Sequence, residues 1–223
     1  MIDKSNAKES KSAPTAAGLL GWAGLLAILA GILYIVIQFI HPSEQISSVD
    51  SASWVIVACL TVAMSLFSLI GVTAIYARQA RESGWLGLAG FLLFSLFWLA
   101  SIAFSFVEAF VLPLLTTEAP KFVEGFLGIF GGAESEVPLG VLPALAPIAG
   151  ALYLLGGLLL GIATFRAGVL PRMAAVLLAF GAVATLAGAV IPHPLDRILA
   201  APMGLAFIWL GYALWAGRGR RIG

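Results

Sequence analysis

Two stretches of the chain carry polar, chemically active side chains at helical spacing within otherwise apolar sequence. Side chains three, four and seven positions apart lie on one face of an α-helix. The first such face ends in an imidazole and the second in a carboxyl; their members are Tyr34, Gln38 and His41, and Ser101, Ser105 and Glu108. Imidazole and carboxyl groups are common proton carriers and metal ligands, so these faces are the first candidates for chemistry.

More polar residues are expected near the same depth. Thr61, Ser65 and Ser68 form a third stripe, and His193 and Asp196 lie between the last two apolar runs. Polar groups that face the inside of a membrane bundle tend to be functional, so one hypothesis is a polar pocket open to one side. The residues assigned to this pocket are Tyr34, Gln38, His41, Ser65, Ser101, Ser105, Glu108, His193 and Asp196. The alternative is that polar residues only collect at helix ends, with hydroxyls bonded to their own helices.

No recognisable catalytic motif accompanies these residues. The chain lacks HExxH, GxSxG, a phosphate-binding loop and a dinucleotide fingerprint, and each histidine adjoins a proline. Zinc would accept ligands of the types present, and a haem would need both histidines to face each other. The possible zinc ligands are His41, His193, Glu108 and Asp196, and the two histidines are the possible haem ligands. Since their spacing matches no known site, we predict no catalytic residue, no bound metal and no cofactor.

The composition is that of an integral membrane protein. Of 223 residues, 61% are hydrophobic and 10% are charged, whereas a soluble domain has roughly 25% charged residues. A net charge of +1 without a basic cluster gives no indication of nucleic-acid binding. The lone Cys59 excludes an intramolecular disulfide. Membrane lipids are therefore the expected surroundings and partners.

Six long apolar runs must position the polar residues. A helix of about 20 residues crosses a hydrocarbon core of ~30 Å. The predicted membrane helices are 18–40, 54–77, 85–112, 142–165, 173–191 and 199–216. We therefore predict an all-α, six-helix transmembrane domain over residues 18–217. Polar tails at 1–17 and 218–223 flank it, and an outer loop at 114–141 contains a short amphipathic helix.

The distribution of basic residues predicts the orientation. If the amino terminus is cytoplasmic, ten of the twelve Lys and Arg residues fall in cytoplasmic segments, and only Lys121 and Arg197 fall outside. The ten are Lys4, Lys8, Lys11, Arg78, Arg81, Arg166, Arg172, Arg218, Arg220 and Arg221. Short cytoplasmic segments carry an excess of basic residues, so both termini are predicted to be cytoplasmic. The pocket would then open to the non-cytoplasmic side.

One segment resembles a known group of proteins. Residues 160–172, LGIATFRAGVLPR, precede an Ala- and Leu-rich helix. In this the chain is similar to uncharacterised six-helix integral membrane proteins that are widespread in bacteria. The resemblance implies a multi-pass protein of the bacterial cytoplasmic (inner) membrane and implies no activity or ligand.

Two functions from different classes remain open. The first is a non-enzymatic protein: an accessory or assembly subunit, or a binder of a lipid or small apolar molecule. Small-residue helix faces and the lack of motifs support it, and other membrane subunits or a second copy would be its partners. The second is a small-solute transporter or membrane-embedded enzyme that uses the outer pocket around Glu108 and His41.

Overall fold

The computed structural model describes residues 15–131, 134–189 and 195–217, and these residues form helices and connecting turns without a strand. The α-helices are α1 (Ala16–Ile40), α2 (Ile46–Val49), α3 (Ala52–Arg78), α4 (Ala80–Phe110), α5 (Leu112–Leu115), α6 (Pro120–Gly131), α7 (Leu145–Ala167), α8 (Arg172–Ala184) and α9 (Ala201–Ala216). Short 3-10 helices lie at Leu142–Ala144, Thr185–Ala189 and Leu195–Ala200. The all-α prediction is confirmed.

Among the described residues, five helical segments are long and apolar enough to cross a membrane. They are Ala16–Ile40, Ala52–Arg78, Ala80–Phe110, Leu142–Ala167 and Arg197–Ala216. The helix predicted over 173–191 differs in its described part, because α8 ends at Ala184 and residues 185–189 form a 3-10 helix; residues 190 and 191 lie outside the described residues. The Thr185 hydroxyl donates to the Ala182 carbonyl at 2.8 Å, a local bond that competes with regular helix bonding.

The five spanning segments and α8 pack in a closed ring. Its order is α1, α3, α4, α7, α8 and α9, and α9 packs back against α1. The side chains that fill its centre are large and fully buried, foremost Trp98, Phe94 and Phe207. The shorter helices lie at one end, where a second apolar cluster joins α2, α3, α5 and α6 through Val49, Trp54, Leu112 and Phe126.

Glycines allow α1 and α9 to touch backbone to backbone. A methyl group added at Gly24 would lie 2.6 Å from the carbonyl oxygen of Gly211. Gly31 and Gly204 meet in the same way further along. The residue numbers of the contacting glycines rise along α1 and fall along α9, so the two helices are antiparallel. The start of α1 and the end of α9 therefore lie at the same end of the ring.

We expect Gly24→Ala to destabilise the fold by about 1–3 kcal/mol, the usual cost of overpacking, because backbone has to move. Gly150→Ala is the matched control, since nothing lies within 4 Å of the added methyl group on α7. It should be neutral or stabilising by up to about 1 kcal/mol. Unfolding free energies in mild detergent measure both. Equal effects of the two substitutions would contradict the close α1–α9 contact.

Candidate functional site

A polar cavity of about 800 Å³ lies where α1, α3 and α4 meet the 3-10 turn before α9. Of the residues assigned to a pocket from the sequence, five line it: Tyr34, Gln38, His41, Ser101 and Glu108. Ser65 is buried behind this wall, and Ser105 lines a neighbouring chamber. His193 and the side chain of Asp196 lie outside the described residues.

The hydroxyl stripes behave in two different ways. The Thr61 hydroxyl donates to the Val57 carbonyl of its own helix at 2.9 Å. Ser65, in contrast, shares a hydrogen bond of 2.9 Å with Ser101 across the α3–α4 interface. A hydrogen bond within its own helix therefore accounts for Thr61, whereas Ser65 bonds to a neighbouring helix. The Ser65–Ser101 pair fixes the rotation of α4 that turns Glu108 towards α1.

Tyr34 lines the cavity and is hydrogen-bonded to a second tyrosine that is not part of its lining. The hydroxyl oxygens of Tyr34 on α1 and Tyr153 on α7 lie 3.0 Å apart and share a hydrogen bond. The Gln38 side-chain amide donates to the Tyr34 carbonyl at 3.4 Å. Tyr153 was missed in the sequence because it stands alone in an apolar run, with no polar neighbour at helical spacing.

Trp54 connects the imidazole to the carboxyl-bearing helix. Its indole nitrogen donates to the backbone carbonyl of Glu108 at 2.9 Å. Its ring meets the His41 ring edge-on at a centroid distance of 6.1 Å. His41 and Glu108 both border a void of about 10 Å³ beside this indole. The ring of Trp54 is buried, and the Ser51 hydroxyl caps its helix by accepting from the Trp54 amide at 3.2 Å.

Arg197 lines the cavity from the 3-10 helix before α9. Its Nη1 donates to the Gln38 carbonyl at 2.7 Å and to the His41 carbonyl at 3.5 Å. A cation at the carboxyl end of a helix meets the negative end of the helix dipole and its unbonded carbonyls. Arg197 therefore holds the last turn of α1 in place while part of its guanidinium stays available to the cavity.

An unmet hydrogen-bond donor lies on the cavity wall. The Trp98 side chain is fully buried and lines the cavity. Its indole N–H has no hydrogen-bond partner within the described ranges. Its ring packs edge-on against Tyr34 and Phe207, at centroid distances of 6.1 and 5.8 Å. A buried donor without an acceptor costs about 1–3 kcal/mol, and this N–H is closed off from the solvent-accessible space of the cavity.

An apolar chamber of about 480 Å³ adjoins the polar cavity between α4, α6 and α7. Ala103, Phe104, Phe126, Leu145 and Leu152 are among its lining residues. The two spaces share four wall residues, namely Glu44, Phe97, Ser101 and Phe130. The two spaces are therefore direct neighbours along α4. This chamber could not be predicted from the sequence, because most of its walls are ordinary apolar helix faces.

The donor types restrict the chemistry of the site. In the part of the chain that the structure describes, no three His, Cys, Asp or Glu side chains cluster closely enough to hold a metal ion. What the geometry does provide is a set of hydrogen-bonding groups at one end and aliphatic and aromatic surface at the other. Sites for small amphipathic molecules have this character: mostly apolar walls with a few placed polar groups.

Comparison of the chain with protein-family models, with curated proteins and with solved structures gives no match. The resemblance to six-helix bacterial membrane proteins stays a prediction.

We expect Arg197→Met to loosen the end of α1. Loss of a charged hydrogen bond to two carbonyls should speed amide hydrogen exchange over residues 37–41 by about tenfold, equivalent to ~1.4 kcal/mol. Hydrogen–deuterium exchange with mass spectrometry measures this. Arg81→Met, which removes an exposed arginine outside the cavity, is the control and should leave that segment unchanged. Unchanged exchange in Arg197→Met would contradict the capping role.

Proposed function

We propose that this chain is a non-enzymatic, multi-pass protein of the bacterial cytoplasmic membrane that binds an amphipathic, lipid-like molecule. The polar end of the ligand occupies the polar cavity and its chain occupies the apolar chamber. The observation that carries the proposal is the shared wall of Glu44, Phe97, Ser101 and Phe130, which separates a space of mixed polarity from a mostly apolar one.

The proposed topology has six crossings with both termini in the cytoplasm. The 13 residues of α8 rise about 20 Å at 1.5 Å per residue. The five residues of the 3-10 helix that follows add about 10 Å at 2.0 Å per residue. Together they match a hydrocarbon core of ~30 Å. The antiparallel contact of α1 and α9 supports an even number of crossings, with both termini on one side of the membrane. The distribution of basic residues favours the cytoplasm as that side.

The polar cavity supplies several kinds of partner for a lipid head. The carboxyls of Glu44 and Glu108 accept hydrogen bonds, and the remaining N–H groups of Arg197 donate them. A head group with both a cationic or hydroxyl donor and an anionic acceptor would satisfy this wall more completely than a purely apolar molecule.

Filling the apolar chamber tests the proposal. Ala103 is exposed on α4 and lines the chamber, so Ala103→Phe should place a ring where the ligand chain lies. The matched control is Ala151→Phe, at an exposed alanine of α7 that lines neither space. The protein is purified in nanodiscs of phosphatidylethanolamine and phosphatidylglycerol, and native mass spectrometry measures the lipid that remains bound after release.

We expect the unmodified protein and Ala151→Phe to retain a lipid and Ala103→Phe to lose most of it, by at least about tenfold for a ~1.4 kcal/mol loss. Retention that is equal in all three proteins would contradict ligand binding in the chamber. Absence of any retained lipid from the unmodified protein would do the same.

A second candidate is a membrane-embedded enzyme, favoured by the void that His41 and Glu108 both border. An imidazole and a carboxyl at one point are a common pair for proton transfer. Under the binding proposal, lipids extracted from the nanodiscs after long incubation should keep their original masses. A new lipid product that disappears in Glu108→Gln and in His41→Ala, with folding intact, would favour the enzyme instead.

A further inference from the structure

A further cavity, of about 700 Å³, lies at the carboxyl end of α3. It is bounded by Arg78 at the end of α3, by the α7–α8 turn at residues 168–171, by Arg172 and by the last two turns of α9. The α3 residues that line the polar cavity are Thr61 and Met64, and Met64 precedes Arg78 by 14 residues, about 21 Å along the helix at 1.5 Å per residue. The two cavities are therefore separate sites.

Two arginines from distant parts of the sequence share this cavity. Within the described residues, neither Arg78 nor Arg172 has an ion pair or a side-chain hydrogen bond, although the Arg172 guanidinium lies 5.7 Å from the Phe165 ring centroid. The residues that line the cavity include no aspartate or glutamate. Two like charges in one concave space repel each other, and a bound anion would turn that repulsion into attraction.

The remaining walls fit a lipid better than a free ion. Trp209 and Tyr212 of α9 line the cavity and are 45% and 56% exposed. Such rings are typical of the depth at which lipid head groups meet the hydrocarbon. Ala213 and Ala216 continue the wall with small apolar side chains. The cavity is also far larger than an inorganic phosphate ion needs, since a water-sized molecule takes up about 30 Å³.

We propose that this basic cavity binds the phosphate of an anionic phospholipid. The guanidinium groups of Arg78 and Arg172 hold the phosphate from two sides, and the glycerol and upper acyl chains lie along Trp209 and Tyr212. Arginine suits this role because its planar fork of N–H groups matches phosphate oxygens. Basic pockets between membrane helices recognise anionic head groups in this way.

The test uses the full-length protein in nanodiscs of phosphatidylcholine with a minor fraction of phosphatidylglycerol. Native mass spectrometry reports the ratio of the two lipids retained. The variant is Arg78→Gln with Arg172→Gln, which removes both cationic partners. The matched control is Arg81→Gln with Arg166→Gln, which removes the same charge near the same ends of α3 and α7 but at positions that do not line the cavity.

We expect the unmodified protein and the control to enrich phosphatidylglycerol. In the cavity variant this enrichment should fall about tenfold for each arginine that is removed. Equal loss in both double variants would overturn the proposal, because it would indicate general surface charge. Displacement of the lipid by millimolar inorganic phosphate would also overturn it, because the site would then take the free ion. Thermal unfolding in lipid-free detergent shows whether the cavity variant remains folded. The single substitution Arg172→Gln changes an exposed side chain and should still lower the phosphatidylglycerol enrichment about tenfold.

Discussion

The close contact between α1 and α9 is the constraint on which the rest of the structure depends. Apolar side chains gain little by leaving lipid for one another, so membrane helices associate largely through packing and hydrogen bonds. The glycine pairs Gly24–Gly211 and Gly31–Gly204 bring the two backbones together and close the ring. Ring closure also carries the turn before α9 to the end of α1, where Arg197 reaches the Gln38 carbonyl. The packing contact and the polar site are thus parts of one arrangement.

The polar cavity exists because aromatic and hydrogen-bonded contacts hold its walls apart. Trp98, Phe94 and Phe207 fill the ring below it and prevent the helices from collapsing into the space. Above, Trp54 is held by the apolar cluster of α2, α5 and α6, and its indole in turn fixes Glu108. The amphipathic helix α6 therefore contributes to both spaces: it supports the polar wall through Trp54 and forms the apolar chamber through Phe126 and Phe130.

Helical periodicity and hydropathy predict the elements well and the contacts between them poorly. Both are local properties, so they locate the long apolar helices and place Tyr34, Gln38 and His41 on one face. They also predict a regular helix over 173–191, where the Thr185 hydroxyl and the 3-10 turn intervene. Tyr153, Trp54 and the apolar chamber depend on which helices become neighbours in the ring. No spacing within one helix contains that information, because the partner lies on another segment of the chain.

The two ends of the ring differ in charge, and this difference links topology to binding. The acidic side chains Glu44 and Glu108 line the polar cavity, whereas Arg78 and Arg172 line the cavity at the other end without an acidic partner among its walls. Basic residues at helix ends orient a chain during insertion whether or not they touch one another. Here the ring brings two of them to the walls of one concave space, which in our proposal binds an anion. In the orientation that we propose, that anion belongs to the cytoplasmic leaflet, which is the leaflet on which α3, α7 and α9 end.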